Sequence, residues 1–446
     1  QEAQQGAYYR ATALERMGKL PAAIDWYRRA YEYAPGGEFA ERALWWRAVA
    51  FDLAGDIDNA NAGYARLLKA FPQSTFAPDA GFRIALNSYR TGDTAAAETF
   101  FAKQVEADTG DARSRALLWL GKTYAAAGRD AEAKAAWQTA VDDSDGNYYA
   151  LRSEALLAGK PDAPGAAPFV DDGINPGHEP DWKSIEGWVS TWATDSASPP
   201  DPTEDAGWAA AMALLELGEE RRARDQLRPL LLEHQLEPHA LLDLVRGFRE
   251  AGLTDLAAQA SALLYGQAPS TAVATIPLDL YRLAFPVDYL PIVRAVAAEF
   301  DIDPLLLYAL VRQESFFDPS ALSFAGARGL TQVIPSTGAD IATKLGVEDF
   351  DPAMLNRPAI SLRFGAYYIG SQIEALDGVA YHGLAAYNAG FGNASRWLEA
   401  GGAEDVDLYV EQIDLDEPKL YVRYVMQNYA RYRAIYRGKE RPTLLP

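Results

Sequence analysis

Residues 310–319 read LVRQESFFDP and set one acid, Glu314, in a mostly apolar stretch. A carboxyl carried into apolar surroundings can do general acid–base work, because burial disfavours the charged form and raises its proton affinity. Two later segments place hydrogen-bonding groups beside tight backbone. ALSFAGARGLTQVIPSTGADIA (321–342) holds Gly326 and Gly329, then Thr331-Gln332, then a helix start at Pro335. LAAYNAGFGNASRW (384–397) reads as an apolar helix ending at Asn388-Ala-Gly390, with Tyr387 in its last turn. Polar side chains beside closely approaching backbone suit a sugar-binding cleft.

Other chemistries find no support. The chain has no cysteine, which removes disulfides, zinc–thiolate sites and thiol nucleophiles. His178, His234, His239 and His382 lack the two-ligand spacing of a zinc helix, so no metal is expected. His178 falls in a linker, and His382 suits a groove or the surface equally. GKT at 121–123 has Ala116 where a phosphate-binding loop needs its first glycine. There is no Gly-x-Ser-x-Gly elbow. No cofactor is implied.

The element that positions Glu314 has a defined start. Asp303 suits an N-cap and Pro304 the first turn. Asp318-Pro319 disfavours helix and sets its expected stop. At about 100° per residue, Leu307, Leu310, Val311 and Glu314 share one face, while Arg312 and Gln313 take others. Two readings stand at this point. Glu314 either reaches solvent or an arginine (Arg312 or Arg328) at the end of the stripe, or it is a desolvated acid.

A repeat runs along the first half. GKLPAAIDWY, GDIDNANAGY, GDTAAAETFF and GRDAEAKAAW start at Gly18, Gly55, Gly92 and Gly128, spaced 37, 37 and 36 residues apart. Each has Ala five residues on (Ala23, Ala60, Ala97, Ala133) and an aromatic nine on (Tyr27, Tyr64, Phe101, Trp137). Weaker copies begin at Gly218 and Gly252. Gly ends one helix, the small Ala admits its neighbour, and the aromatic fills the gap between hairpins, which bury their faces by stacking. The aromatic stripe is packing. Residues 158–182 and 190–207 are rich in Pro, Gly, Asp and Ser and read as linker. Helical pattern resumes at 208, and a non-repeating segment begins near 287. The expected layout is repeats over 1–157, an irregular stretch over 158–207, further hairpins over 208–286 and a separate domain over 287–446.

The net charge of −21 and the pI of about 4.7 disfavour nucleic acid and anionic lipid as partners. No apolar run is long enough to span a membrane. The first residues, QEAQQGAYYR, lack the pattern of a signal peptide, so an exported protein would carry its signal outside this sequence.

The repeats resemble the tetratricopeptide family. ALVRQESFFDPSALSFAGARGLTQVIPSTG resembles the first two motifs of the soluble lytic transglycosylase family, and AAYNAGFGNASRW resembles the third. The resemblance implies a mainly α protein: a superhelical array of helical hairpins, then a C-terminal lysozyme-like, mostly helical catalytic domain. It also implies cleavage of peptidoglycan between N-acetylmuramic acid and N-acetylglucosamine, leaving 1,6-anhydromuramic ends, in the periplasm or cell envelope. Glu314 matches the family's sole acid/base. Ser323 and Gln332 match residues lining the cleft, and Tyr387 matches a tyrosine near the carboxylate. YVEQIDLDEPKLYVRYV (409–425) matches a terminal segment that sets Glu417 and Tyr421 on its Glu and Tyr. Ser315 and Phe316 become cleft-edge residues. Departures occur at Thr331, Ile334, Phe391 and Lys419. Thr331 and Ile334 would alter apolar contacts to sugar faces. The alternative function is a non-catalytic scaffold that binds peptidoglycan, or a protein partner through the repeats.

Overall fold

The computed structural model describes residues 1–144, 146–159, 174–176, 179–194, 201–402 and 405–437. His178 and most of the first linker lie outside them. Among the described residues the chain is built from helices, with two isolated β-bridges, Leu322 to Arg328 and Arg328 to Val333. No described helix is long and apolar enough to cross a membrane. The chain divides into two compact units, Gln1–Gly165 with Val379–Arg423, and Ala166–Gly378 with Tyr424–Pro446.

The first unit opens with helical hairpins running from Glu2–Arg16 to Tyr148–Leu157, each helix packed on the next. Gly18, Gly55, Gly92 and Gly128 all have φ between 70° and 83°, the left-handed conformation that ends each first helix. Ala23, Ala60, Ala97 and Ala133 are buried, as are Tyr27, Tyr64, Phe101 and Trp137. Gly121 shows how close the helices come: a Cβ there would sit 2.3 Å from Trp137 Nε1. The Trp137 indole instead donates to the Leu118 carbonyl at 3.1 Å.

The same unit holds the helix Val406–Gln412, whose acids meet cations from the hairpins. Asp407 accepts from Arg152 at 2.6 Å and from Lys122 at 2.5 Å, and Lys122 also reaches Asp405 at 2.7 Å. Glu411 accepts from Arg115 at 2.6 Å and lies 3.3 Å from Arg423. Burial alone would raise both carboxyls. The surrounding cations outweigh it, holding Asp407 at about 2 and Glu411 far below the usual range. The GKT lysine is therefore one partner in a buried ion cluster.

The second unit is centred on the helix Pro304–Ser315, in which every residue from Pro304 to Arg312 is buried. Asp303 caps it, accepting from Leu305 N at 2.8 Å. The same carboxylate accepts from the Tyr429 hydroxyl at 2.5 Å and from Arg437 at 2.6 Å, tying the C-terminal part of the helix Asp416–Arg437 to this cap. Tyr308, Phe317, Tyr432 and Phe285 pack as a connected aromatic group around it. The Tyr308 hydroxyl satisfies the carbonyls of Val287 and Asp288, and that of Tyr432 the carbonyl of Pro286.

Two expectations for this helix change. Arg312, expected off the apolar stripe, is part of the core. It is buried, donates to the Ala284 carbonyl at 3.1 Å and to Asn428 Oδ1 at 3.1 Å, and lies over the rings of Phe285 and Phe316. From Pro304 to Arg312 the helix is buried on all sides, so a periodic stripe undercounts its core. The helix also ends at Ser315, three residues before Asp318, because Phe316 and Phe317 turn left-handed at φ 52° and 70°.

Candidate active site

Glu314 sits on the last turn of the core helix and is half-buried, not enclosed. It lines a cavity of about 600 Å³, within the range of ligand sites. The cavity wall also takes in Gln313, Ser315, Phe316, Ser323 and Gln332. Glu314, Ser323 and Gln332, expected together from the resemblance, thus share one cavity, and Ser315 and Phe316 line it with them.

Local chemistry holds this wall rigid. Ser315 Oγ donates to the Leu330 carbonyl at 2.9 Å, joining the helix end to the Gly-Leu-Thr-Gln segment. Ser323 Oγ accepts from Ala327 N at 3.0 Å, while Ser323 N donates to the Ala327 carbonyl at 2.9 Å. Gln332 is left-handed at φ 47°, and its side-chain amide donates to the carbonyls of Gly329 at 2.9 Å and Ala321 at 3.2 Å. Phe316, Phe317 and Gln332 are non-glycine residues in a region that costs about 1–3 kcal/mol each, and such strain gathers at functional sites. Gly329 is required: its φ is 76°, and a Cβ would lie 1.9 Å from the Leu355 carbonyl oxygen.

Thr331 does not face a sugar as expected. It is fully buried, its hydroxyl donates to the Ser361 carbonyl at 2.8 Å, and its methyl group fills the space above Gly365. This hydrogen bond fastens the segment to the helix Pro358–Ala375. Ile334 is exposed.

Tyr387, Glu417 and Tyr421 belong to the first compact unit. Tyr387 is half-buried in the helix Ala380–Ala389. Glu417 is exposed in the first turn of the helix Asp416–Arg437, and Tyr421 is buried one turn on. His382 is buried in the same unit, its ring 4.2 Å from that of Tyr409. Among the described residues no group of His, Asp or Glu has metal-binding geometry.

Residues 291–410 match the family profile of the transglycosylase SLT domain. The chain carries an SLT domain. Residues 42–74 and 115–144 match tetratricopeptide repeats. The soluble lytic murein transglycosylase of Salmonella typhimurium is 30% identical over 158 residues, 35% of this chain and 24% of that protein. Membrane-bound lytic murein transglycosylase C of Haemophilus ducreyi is 36% identical over 121 residues, 25% of this chain and 33% of that protein. The matched stretches thus span a quarter to a third of these relatives. Among solved structures, an inactive glutamate-to-glutamine mutant of lytic transglycosylase Slt from Pseudomonas aeruginosa superposes with a TM-score of 0.66 at 19% identity. That likeness covers 99% of this chain and 68% of the other. The 70 kDa soluble lytic transglycosylase of Escherichia coli gives 0.58 at 19% identity, covering 99% and 74%. At these identities the structural likeness is one of fold.

The Glu314 cavity has a wall that sequence reading missed, outside the matched residues 291–410. Arg221, Asp225 and Arg228 of the helix Glu220–Glu233 line it. Arg228 pairs with Asp318 at 2.7 Å and with Asp225 at 2.9 Å, and Asp318 also accepts from Ser320 N and Oγ. Arg224 lies 3.6 Å from Asp318 and bonds Asp255 at 3.1 Å. The only sequence signal was the density of arginine over 221–228, and on a helix such charges pair locally as readily as across the fold.

Proposed function

We propose that the protein cleaves the β-1,4 bond between N-acetylmuramic acid and N-acetylglucosamine in peptidoglycan by intramolecular transglycosylation. The observation that carries this reading is Glu314, at the end of a rigid core helix and in the wall of one cavity with Ser323 and Gln332. The family profile and the printed names of the relatives support it, as does the inactivity of a glutamate-to-glutamine mutant in a neighbour of the same fold.

Glu314 is the single acid/base. It protonates the leaving glycosidic oxygen, and the substrate's N-acetyl group stabilises the positive anomeric centre. It then takes the proton of the muramic C6 hydroxyl, whose oxygen closes on the anomeric carbon. Glu314 gives one proton to the leaving sugar and regains another from the C6 hydroxyl, so no water is consumed and an anhydro end forms. Ordinary glycosidases need a second carboxylate. Asp318 and Asp225 are the other acids of this cavity, and each is tied to Arg228. Ser323 and Gln332 bind substrate through a wall fixed by their own backbone bonds. Tyr387, Glu417 and Tyr421 are assigned to substrate binding on their match to the family's motifs. Peptidoglycan as substrate places the protein in the periplasm or cell envelope. A protein partner for the repeats would use a face other than the one whose cations hold Asp405, Asp407 and Glu411.

Digestion of purified peptidoglycan with mass spectrometry of the products tests the reading. Anhydromuramic ends are expected from the wild type, with a loss of at least a thousandfold in Glu314→Gln. Reducing muramic ends would make the protein a hydrolase. Undiminished cleavage by Glu314→Gln would remove the assignment, and binding without any cleavage would favour the scaffold.

A further inference from the structure

Phe324 is fully exposed, at 111% of its reference area, so its ring has no packing partner. Single exposed apolar residues are common and carry no message alone. The setting of this one does. Ser323-Phe324-Ala325-Gly326 form a β-turn closed by the bond from Gly326 N to the Ser323 carbonyl at 3.0 Å. Serine at its first position and glycine at its fourth are the residues such turns favour. The turn is fastened below by the two Ser323–Ala327 bonds and by the bridge from Leu322 to Arg328. The backbone under Phe324 is therefore fixed, and the ring is held out where water meets both faces.

The two residues before it in the chain, Leu322 and Ser323, line the Glu314 cavity, and Leu322 is itself 45% exposed. The apolar surface that Phe324 offers thus follows directly in the chain on two residues of the cavity wall. Its size limits the ligand. One aromatic ring offers about 150–250 Å², whereas a stable protein interface needs about 800 Å² on each side. The flanking Ser323, Ala325 and Gly326 add little apolar area. One flat ring beside a glycan cleft matches one pyranose, whose axial C–H bonds present a weakly positive, apolar face to the negative face of an aromatic ring.

We propose that Phe324 is a stacking platform for a further N-acetylhexosamine of the bound strand, beyond the sugars held next to Glu314. This rests on the reading of the cavity as a glycan cleft. Because the ring packs on nothing, its replacement leaves the fold intact, and its effect depends on the length of the saccharide.

The test is calorimetric titration of the whole protein with β-1,4-linked N-acetylglucosamine trisaccharide and hexasaccharide. Phe324→Ala is expected to weaken hexasaccharide binding about tenfold, equivalent to about 1.4 kcal/mol, and to leave the trisaccharide unchanged. Phe324→Trp is expected to bind the hexasaccharide at least as tightly as the wild type. Unchanged hexasaccharide affinity in Phe324→Ala, equal losses for both lengths, or no saccharide binding by the wild type would each overturn the platform. Length-dependent binding with no anhydromuramic product from peptidoglycan would remove the lytic reading and leave the platform standing.

Discussion

Replacing Asp407 with Asn is expected to lower the stability of the repeat-containing unit by about 3–5 kcal/mol. The carboxylate is 2% exposed and accepts three charge-assisted bonds, from Lys122 Nζ at 2.5 Å, Arg152 Nε at 2.6 Å and Arg152 Nη2 at 3.2 Å. Arg152 and Lys122 overcome the burial penalty and hold it at about 2, against an ordinary aspartate value near 4. At about 1.4 kcal/mol per unit that difference is worth roughly 2–3 kcal/mol of folding free energy. Asparagine also strands Arg152, itself 2% exposed, and breaking a buried pair from one side costs about 3–5 kcal/mol. The sign of the pH effect follows. A carboxyl depressed in the folded state contributes fully above about pH 4 and loses its contribution as pH falls toward 2. Wild-type stability should therefore drop across that window, and Asp407→Asn should drop less. Urea unfolding followed by tryptophan fluorescence measures both, with an expected midpoint shift on the order of 1 M at pH 7. Arg152→Met with Asp407→Leu removes both charges and should recover most of the loss, since Lys122 keeps Asp405. A loss below about 1 kcal/mol, or parallel acid sensitivity in mutant and wild type, would refute the argument.

Lys419 gives the opposite sign. Burial, reinforced by Arg83, Arg423 and Arg115, pushes it down to about 7 despite Glu411. The unfolded chain then binds more protons between about pH 7 and pH 10, so wild-type stability should rise across that range. Lys419→Met should abolish the rise and stabilise the protein at pH 7 by about 1–2 kcal/mol; a destabilised variant in a thermal melt would show that the lysine is a needed partner of Glu411. Gly329→Ala should cost about 3 kcal/mol or more, from the left-handed backbone and the contact with Leu355, and peptidoglycan cleavage should fall with it. A melting temperature within a degree or two of wild type would mean that the Gly-Leu-Thr-Gln segment is looser than its hydrogen bonds imply.

The repeat was legible because its physics is local. A left-handed glycine, a buried alanine five residues on and a buried aromatic nine on all fall within one turn-and-helix unit, and Gly18, Gly55, Gly92 and Gly128 obey it alike. The start of the Glu314 helix was legible for the same reason, since Asp303 caps a backbone N–H two residues away. Its end was not. The stop was placed at Asp318-Pro319 by a local rule, yet Phe316 and Phe317 leave the helix first. Phe317 joins Tyr308 in an aromatic group completed by Tyr432 and Phe285, and Arg312, which lies over Phe316, is held by Ala284 and Asn428. Those partners lie far off in the chain.

The same distinction runs through the site. Ser323 and Gln332 were named on their match to the family's motifs, and both line the Glu314 cavity, each bonded to backbone a few residues away. Thr331 was misjudged, because its partner Ser361 lies thirty residues on and turns an apparent cleft residue into a core one. Arg221 and Arg228 were missed because the cavity borrows its charged wall from a helix about ninety residues before Glu314. Lys122 looked like part of a failed phosphate loop, and only Asp405 and Asp407 explain it. Each miss involves a charge or hydroxyl whose meaning depends on a distant partner, whereas hydrophobic periodicity and turn chemistry carry their meaning within a dozen residues. Chemistry that one acid performs at a fixed backbone is therefore easier to read from sequence than the wall that selects what that acid meets. On this ground Phe324 is an informative residue: its turn is local and legible, its ring touches nothing in the fold, and the contact that gives it meaning has to come from the ligand.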